Sequence, residues 1–526
     1  MIGPNRPQWY RRHLLGAAAA AGAGVITGCS PQAAPGGAGH TPAAAHADGG
    51  NATARENARP GDRDWRLRRL GADRAVEGYA DRVSVLPGEA FHLHVSTTAA
   101  AFRAEAFRMG WYGGAGARKV WQSPRVTGAR RSVPGPAGAT RTVTAGWQPS
   151  LRVPTAGWPE GAYLIRLTAD GGAQRYVPLV VRSARTDGKL VLLHATATWQ
   201  AYNTWGGHSL YQGPGGKADY SNRSLAVSCD RPFDGDGAKL FLTYERPVVA
   251  LAERLGLPVA YVTGMDVDRE PGLLRGARAV VSLGHDEYWS PAMRERVTAA
   301  RDAGTNVAFL GANACFRRIR LEAADSGDRR LVVCYKTDWQ RDPLYGKDDA
   351  AVTADWREPP DARPESSLTG VLYESNPTSA AYVVADPGHW VFAGTGVRRG
   401  TRFANLVGTE YDRVNSGPLT PRPIHIVAHS RLVCRGVRTF SDSAYYTTPG
   451  GAGVFATGTM RWVESMTGNG AHGIARHTAR FTGRVTANVL RVFAAGPAGT
   501  PHPAQDNLAD FHPFDGDPTW ARKDLW

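Results

Sequence analysis

Residues 278–291 (RAVVSLGHDEYWSP) constrain the fold of this chain more than any other segment. An apolar run rich in β-branched side chains has no polar face to give to water, so it reads as a strand buried on both sides. The run stops at Gly284 and releases His285, Asp286, Glu287 and Tyr288 in consecutive positions. Helical apolar spacing follows over 292–303, with Ser290 as the N-cap and Pro291 at the first helical position. Strand, polar loop and helix in that order are the unit of a parallel α/β sheet, which places its chemistry beyond the carboxyl ends of the strands.

The same alternation continues on both sides. LVLLHAT, VAYVTG, ARAVVSLG and NVAFLGAN read as strands, while RPVVALAERLG and PAMRERVTAARDAG read as helices, the first over 245–255. This predicts a doubly wound parallel sheet. The run LVLLHATATWQAYN reads as one long strand ending at Tyr202 and Asn203, with Tyr211 following a Gly-rich turn. Upstream, over 75–183, short alternating runs separated by Gly, Pro and Asp predict an immunoglobulin-like β-sandwich, with Trp111 and Tyr163 as core or edge aromatics. Residues 330–460 are mixed in pattern, and 488–495 read as a closing helix. The expected organisation is a signal over 1–30, a disordered linker over 31–70, the sandwich over 71–185, the α/β domain over 186–500 and an extended tail over 501–526.

The leader carries Arg11 and Arg12 ahead of an Ala-rich apolar stretch, the pattern of twin-arginine export. Ile26-Thr27-Gly28-Cys29 resembles a lipobox, so Cys29 is expected to be lipidated and to anchor the protein to the outer face of the cytoplasmic membrane. The apolar stretch is short for a membrane span. Residues 31 to about 60 are rich in Ala, Gly and Pro and read as a tether. Of the remaining cysteines, Cys315 and Cys334 lie near successive expected strands and are candidates for pairing outside the cell. The net charge of +15 comes from scattered arginines with no nucleic-acid-binding motif, so no nucleic acid is expected as a partner.

Tyr202, Tyr211 and Glu287 supply two phenols and a carboxylate to one sheet edge. These are hard oxygen donors, suited to a hard cation such as Fe(III). Three protein ligands leave room for water and substrate, and such an ion acidifies water and polarises an amide carbonyl. Each tyrosine taken alone also reads as a core aromatic.

AYNTWGGHSLY, LGHDEYWS, FLGANACFRRIR, VCYKTD and GTEYD occur in this order within 187–465. On these motifs the chain resembles the C-terminal region of the large (β) subunit of the N,N-dimethylformamidase family. The resemblance implies a class I glutamine-amidotransferase-like, flavodoxin-like domain in which mononuclear iron replaces the catalytic cysteine. Its metal ligands fall on Tyr202, Tyr211 and Glu287. Its catalytic surroundings fall on Asn313, to orient the substrate carbonyl, Lys336, to stabilise an oxyanion, and Glu410, to shuttle a proton to the leaving amine. His285 and Tyr288 are expected to support the ligands from behind, with His285 also a competing ligand. The implied reaction is hydrolysis of an amide C–N bond in a small or envelope-derived substrate.

Two departures bear on the substrate. The family carries a long insertion between its two tyrosines, whereas eight residues separate Tyr202 from Tyr211. The known enzyme also works with a small subunit that nothing in this chain replaces; a homo-oligomer is left open. A cysteine-nucleophile amidotransferase would need a Gly-x-Cys-x-Gly frame, which Cys315 lacks. The other reading is a non-catalytic envelope protein that stacks glycans on Trp199, Trp205, Trp289 and Trp339.

Overall fold

The structure is a computed structural model, and it describes residues 51–511. The export signal, Cys29, the tether up to residue 50 and the tail beyond residue 511 lie outside the described residues.

Two sheets form the N-terminal part. One pairs Val76–Ala80 with Ala90–Thr97 and Leu151–Pro154. The other runs Ser84–Val85, Gln174–Val181, Gly161–Ala169, Ala101–Met109, Ala117–Gln122, with Val126–Thr127 also pairing Ala101–Met109. Their inward residues, among them Val76, Phe91, Leu93, Phe102, Ile165 and Val177, share one core. Tyr163 is buried in it, and Trp111 is half-buried at an edge.

The C-terminal part is built on a seven-stranded sheet in the order Val259–Thr263, Leu190–His194, Ala279–Ser282, Asn306–Phe309, Gly453–Ala456, Val437–Thr447, Ile424–Cys434. The first five are parallel; the last two are antiparallel. The continuous apolar runs have a direct cause. Alternate residues enter separate cores: Leu190, Leu192 and Val281 pack on one side, and Val191, Leu193, Val280 and Phe309 on the other. Each such side chain contributes about 1.5–3 kcal/mol on burial.

Helices cover both faces. Arg246–Arg254 and the 18-residue Thr478–Ala495 supply Val248, Leu251, Val485 and Leu490 to the first core. Pro291–Asp302 supplies Met293 and Val297 to the second. That helix starts as its sequence dictates, with the Ser290 hydroxyl accepting from the Met293 N–H at 3.1 Å and proline in the first turn.

Several expectations are corrected. LVLLHATATWQAYN is not one strand: it ends at His194, and Thr196–Tyr202 is an α-helix. The tether does not reach residue 70. Ala52–Asn57 is a helix, Trp65 is buried, and Asn51 Nδ2 donates to the Gly256 carbonyl. The tail does not run free from residue 501, because Asn507 accepts from Ile426 N–H at 2.7 Å and donates back to its carbonyl at 3.1 Å. Cys229, Cys315, Cys334 and Cys434 are all unpaired and buried, so the Cys315–Cys334 bridge does not form.

The placement of Leu190–His194 decides where a site can lie. The strand sits between Val259–Thr263 and Ala279–Ser282, so the chain moves outward to the first and then crosses back over it to the second, reversing the winding there. A crevice opens beyond the carboxyl ends at such a reversal. The segments after His194 and after Ser282 both enter it.

Candidate functional site

Two glycines shape the crevice. Gly284 has φ +101°, and a Cβ there would lie 2.6 Å from the Tyr244 carbonyl oxygen. A Cβ on Gly311, at the end of the neighbouring strand, would lie 1.8 Å from the Gly284 carbonyl oxygen. Only glycine permits this approach, which brings the loop bearing His285–Glu287 beside the loop bearing Asn313. Backbone bonds lock the two loops together: Cys315 N–H donates to the Asp286 carbonyl and Arg317 N–H to the Glu287 carbonyl.

Glu287 is the hub. Its carboxylate is 1% exposed and receives three side-chain donors: Tyr202 Oη on Oε2 at 2.6 Å, Tyr211 Oη on Oε1 at 2.6 Å, and Arg317 Nε on Oε1 at 3.1 Å. The tyrosine rings stack at 4.5 Å. Burial opposes the charge on Glu287, but Arg317, His285, Lys336 and the phenol bonds prevail and hold its carboxyl below the usual range. Burial and then the Glu287 charge push both phenols well above theirs, so in the absence of a cation neither ionises near neutrality.

The helix that carries Tyr202 is held from a distance. Glu245 accepts from Ala195 N–H at 3.1 Å and from Trp199 Nε1 at 2.8 Å, and its other oxygen meets His194 Nδ1 at 2.5 Å. Thr198 Oγ1, on the same helix, accepts the Glu287 N–H at 3.1 Å. Tyr202 and Glu287 are therefore fixed to each other by backbone as well as by side chain.

The other expected residues also gather here. His285 lies between the two carboxylates, with Nε2 3.8 Å from Glu287 and Nδ1 4.0 Å from Glu410, and neither nitrogen has a hydrogen-bond partner. Burial holds its pKa below that of a free imidazole. Asn313 Nδ2 donates to Glu410 at 3.1 Å, while its Oδ1 is buried without a partner. Burial, and next the Glu287 charge, push Glu410 up to about 8. The Tyr288 hydroxyl is buried and unpartnered, with its ring roughly perpendicular to those of Tyr202 and Tyr211.

Lys336 occupies a different post from an oxyanion donor. It is fully buried, Nζ donates to the Leu210 carbonyl at 2.6 Å, and it lies 3.1 Å from the centre of the Tyr211 ring. Burial and the nearby Arg317 depress its pKa. Asn313 and Lys336 both adopt left-handed backbone, with φ of 60° and 56°. Such strain costs on the order of 1–3 kcal/mol per residue and persists where surrounding contacts enforce it. Here those contacts are Asn313 N–H to Asp412 at 2.8 Å and the Lys336–Leu210 bond.

Arg317 and Asp355 were not visible as site residues. Arg317 bridges Glu287 and Asp355, yet in sequence it is one of three arginines in FLGANACFRRIR and nothing singles it out from the other two. Its only signal is its place in the parallel pairing of Tyr288–Trp289 with Arg317–Arg318. Cys315 is close in sequence but chemically inert, since burial pushes its thiol up to about 12. Among the described residues no cluster of three His, Cys, Asp or Glu side chains is arranged to hold a metal. Of the four tryptophans considered for glycan stacking, Trp199, Trp205 and Trp289 are buried and offer no surface for a sugar, while Trp339 is half-buried with its ring against the exposed Tyr345 at 5.0 Å.

A family model described as N,N-dimethylformamidase beta subunit-like, C-terminal, matches residues 103–475. The chain belongs to this family. The family match begins inside the second N-terminal sheet, at Ala101–Met109, well upstream of the motifs at 187–465. No curated protein matches the chain closely enough to count as a relative. A solved cycloisomaltooligosaccharide glucanotransferase from Paenibacillus sp. is 12% identical over 24% of this chain and 17% of its own, with a TM-score of 0.13. The chain thus spans under a fifth of that protein, and at this TM-score the likeness carries no argument.

Proposed function

We propose that this family member is an iron-dependent hydrolase of amide C–N bonds, with mononuclear Fe(III) held by Tyr202, Tyr211 and Glu287. The observation that carries the reading is the convergence of two tyrosine hydroxyls, each at 2.6 Å, on the two oxygens of one buried carboxylate. These donors fit a hard trivalent cation, whose charge also favours the phenolates that burial alone suppresses. When bound, the ion supplies Lewis acidity towards the amide carbonyl and towards water.

The chain's own residues do the rest. Glu410, which burial and then the Glu287 charge push up to about 8 in the metal-free protein, is placed to pass a proton to the leaving amine. Asn313 spends one amide N–H on Glu410, which leaves its second N–H to orient the substrate carbonyl and its unpartnered Oδ1 to accept from a substrate N–H. Lys336 acts through Tyr211, its ammonium stabilising negative charge on the ring. Arg317 fixes the Glu287 carboxylate in the plane its two hydroxyl donors need.

The finer architecture belongs to the same reading: an immunoglobulin-like sandwich ahead of a flavodoxin-like, glutamine-amidotransferase-like domain. The support is the parallel strand order and the position of the crevice at its reversal. So does the setting, export by the twin-arginine route with anchorage at Cys29, which would present an envelope-derived or environmental amide as substrate. The test is iron content and visible absorption of the purified protein. About one iron per chain, with a tyrosinate charge-transfer band lost in Tyr202→Phe, is expected; a colourless protein that takes up no added iron overturns the reading.

A further inference from the structure

Two stretches of the chain that lack acidic residues gather basic side chains around one groove. No Asp or Glu occurs in residues 387–409 or in residues 465–505, while these segments carry Arg398, Arg399, Arg402, Arg476, Arg480, Arg484 and Arg491. The fold brings the two segments together with the end of the helix Arg246–Arg254. They line a groove of about 860 Å³ that includes Arg254, His477, Arg480, Arg484 and Arg491, with Phe403 and Phe481 stacked at 3.8 Å.

On the helix Thr478–Ala495, Arg480, Arg484 and Arg491 stand at i, i+4 and i+11, which puts them on one stripe. All three are exposed, and none makes a side-chain hydrogen bond or ion pair with a described residue. Arg254 lies 5.3 Å from the Trp111 ring and has no acidic partner either. This contrasts with Arg166, Arg182, Arg320 and Arg330 elsewhere, each of which meets a carboxylate. Guanidinium groups left without internal partners along a groove favour an external anion.

We infer that this groove binds inorganic polyphosphate, a linear chain of phosphates without bases or lipid tails. Guanidinium forks match phosphate oxygens two at a time. At a rise of about 1.5 Å per residue, Arg480 and Arg491 are ~16 Å apart along the helix, further than one phosphate reaches. The exposed large apolar side chains, Leu70, Tyr220, Tyr345, Leu419 and Val433, all lie outside the groove, so nothing there inserts into a lipid surface. The inference is independent of the metal site.

The test uses the full chain and fluorescently labelled inorganic polyphosphate, read by anisotropy across a salt series. The variant R480Q/R484Q/R491Q is compared with R103Q/R130Q/R152Q, which removes the same charge from exposed arginines of the N-terminal sheets. The groove variant should lose at least about tenfold in affinity, and its slope of log affinity against log salt should flatten by about 2, given ~0.7 per phosphate contact on a flexible strand. The control variant should bind as wild type does. Equal losses in both variants would reduce the effect to net charge and overturn the groove. Equal competition by orthophosphate at the same phosphate concentration would overturn the requirement for a chain. Tighter binding to phosphatidylglycerol vesicles or to single-stranded DNA than to polyphosphate would reassign the face to a membrane or a nucleic acid.

Discussion

Substituting Tyr211→Phe removes one oxygen atom and leaves the rest of its environment intact. The ring still stacks on Tyr202 and still lies under the Lys336 ammonium. What disappears is a hydroxyl donating to a buried carboxylate at 2.6 Å, an interaction worth about 1.5–3 kcal/mol when one partner is charged. Glu287 keeps Arg317 on the same oxygen and Tyr202 on the other. The loss in metal-free protein therefore falls at the low end, about 1.5 kcal/mol. Iron at roughly a hundred times its dissociation constant adds about 2.7 kcal/mol to the wild type. A variant lacking one ligand gains far less, so the gap between the two proteins should open to about 4 kcal/mol when iron is present. Urea denaturation with and without Fe(III), with the visible band followed in parallel, measures both quantities. An iron-dependent gain as large in Tyr211→Phe as in wild type, with the band unchanged, refutes the assignment of Tyr211 as a ligand.

Glu410→Gln keeps the bond from Asn313 but cannot release a proton, so kcat on an amide substrate should fall by about 10²–10⁴ with iron content unchanged; loss of iron in this variant would instead make Glu410 part of the metal site. Glu253→Ala should cost about 3–5 kcal/mol in chemical denaturation, because it strands Arg108, which is 2% exposed and bonded to Glu253 at 2.5 Å. His389 gives a pH signature. Burial, and then its neighbours His425 and His502, depress its pKa to about 3. An unfolded imidazole titrates near 6.5, so stability from this group is complete above that pH and is lost on acidification towards 3, by up to about 1.4 kcal/mol per pH unit. His389→Asn retains a side-chain acceptor for the Val391 N–H and should flatten that slope between pH 6.5 and 4.5; an unchanged slope would show that other groups carry it.

Legibility followed the range of the forces involved. The strands Ala279–Ser282 and Asn306–Phe309 and the helix Pro291–Asp302 were readable because burial on both faces and a Ser-Pro start are written locally. The helix Thr196–Tyr202 was not. Its threonines and aromatics favour extended backbone, and its first turn is held by Glu245, a carboxylate from elsewhere in the chain. The ordered start of the body was hidden for the same reason, since Asn51 and Asn57 find their partners at Gly256 and Glu253. In the site, the gathering of Tyr202, Tyr211 and Glu287 at one sheet edge was legible, and their side chains do converge. The bond from Asn313 to Glu410 and the seat of Lys336 against an aromatic ring depend on side-chain directions that spacing does not encode.

The four unpaired cysteines give the protein a built-in clock for its own opening. Cys229, Cys315, Cys334 and Cys434 are spread over the α/β part and all are shielded from solvent. Burial pushes the first three thiols up to between about 11 and about 12, so these three offer almost no thiolate to an alkylating reagent in the native state. Alkylation must then wait for each neighbourhood to open. Mass spectrometry of the four peptides over time would rank those regions by local stability, with no label engineered into the chain.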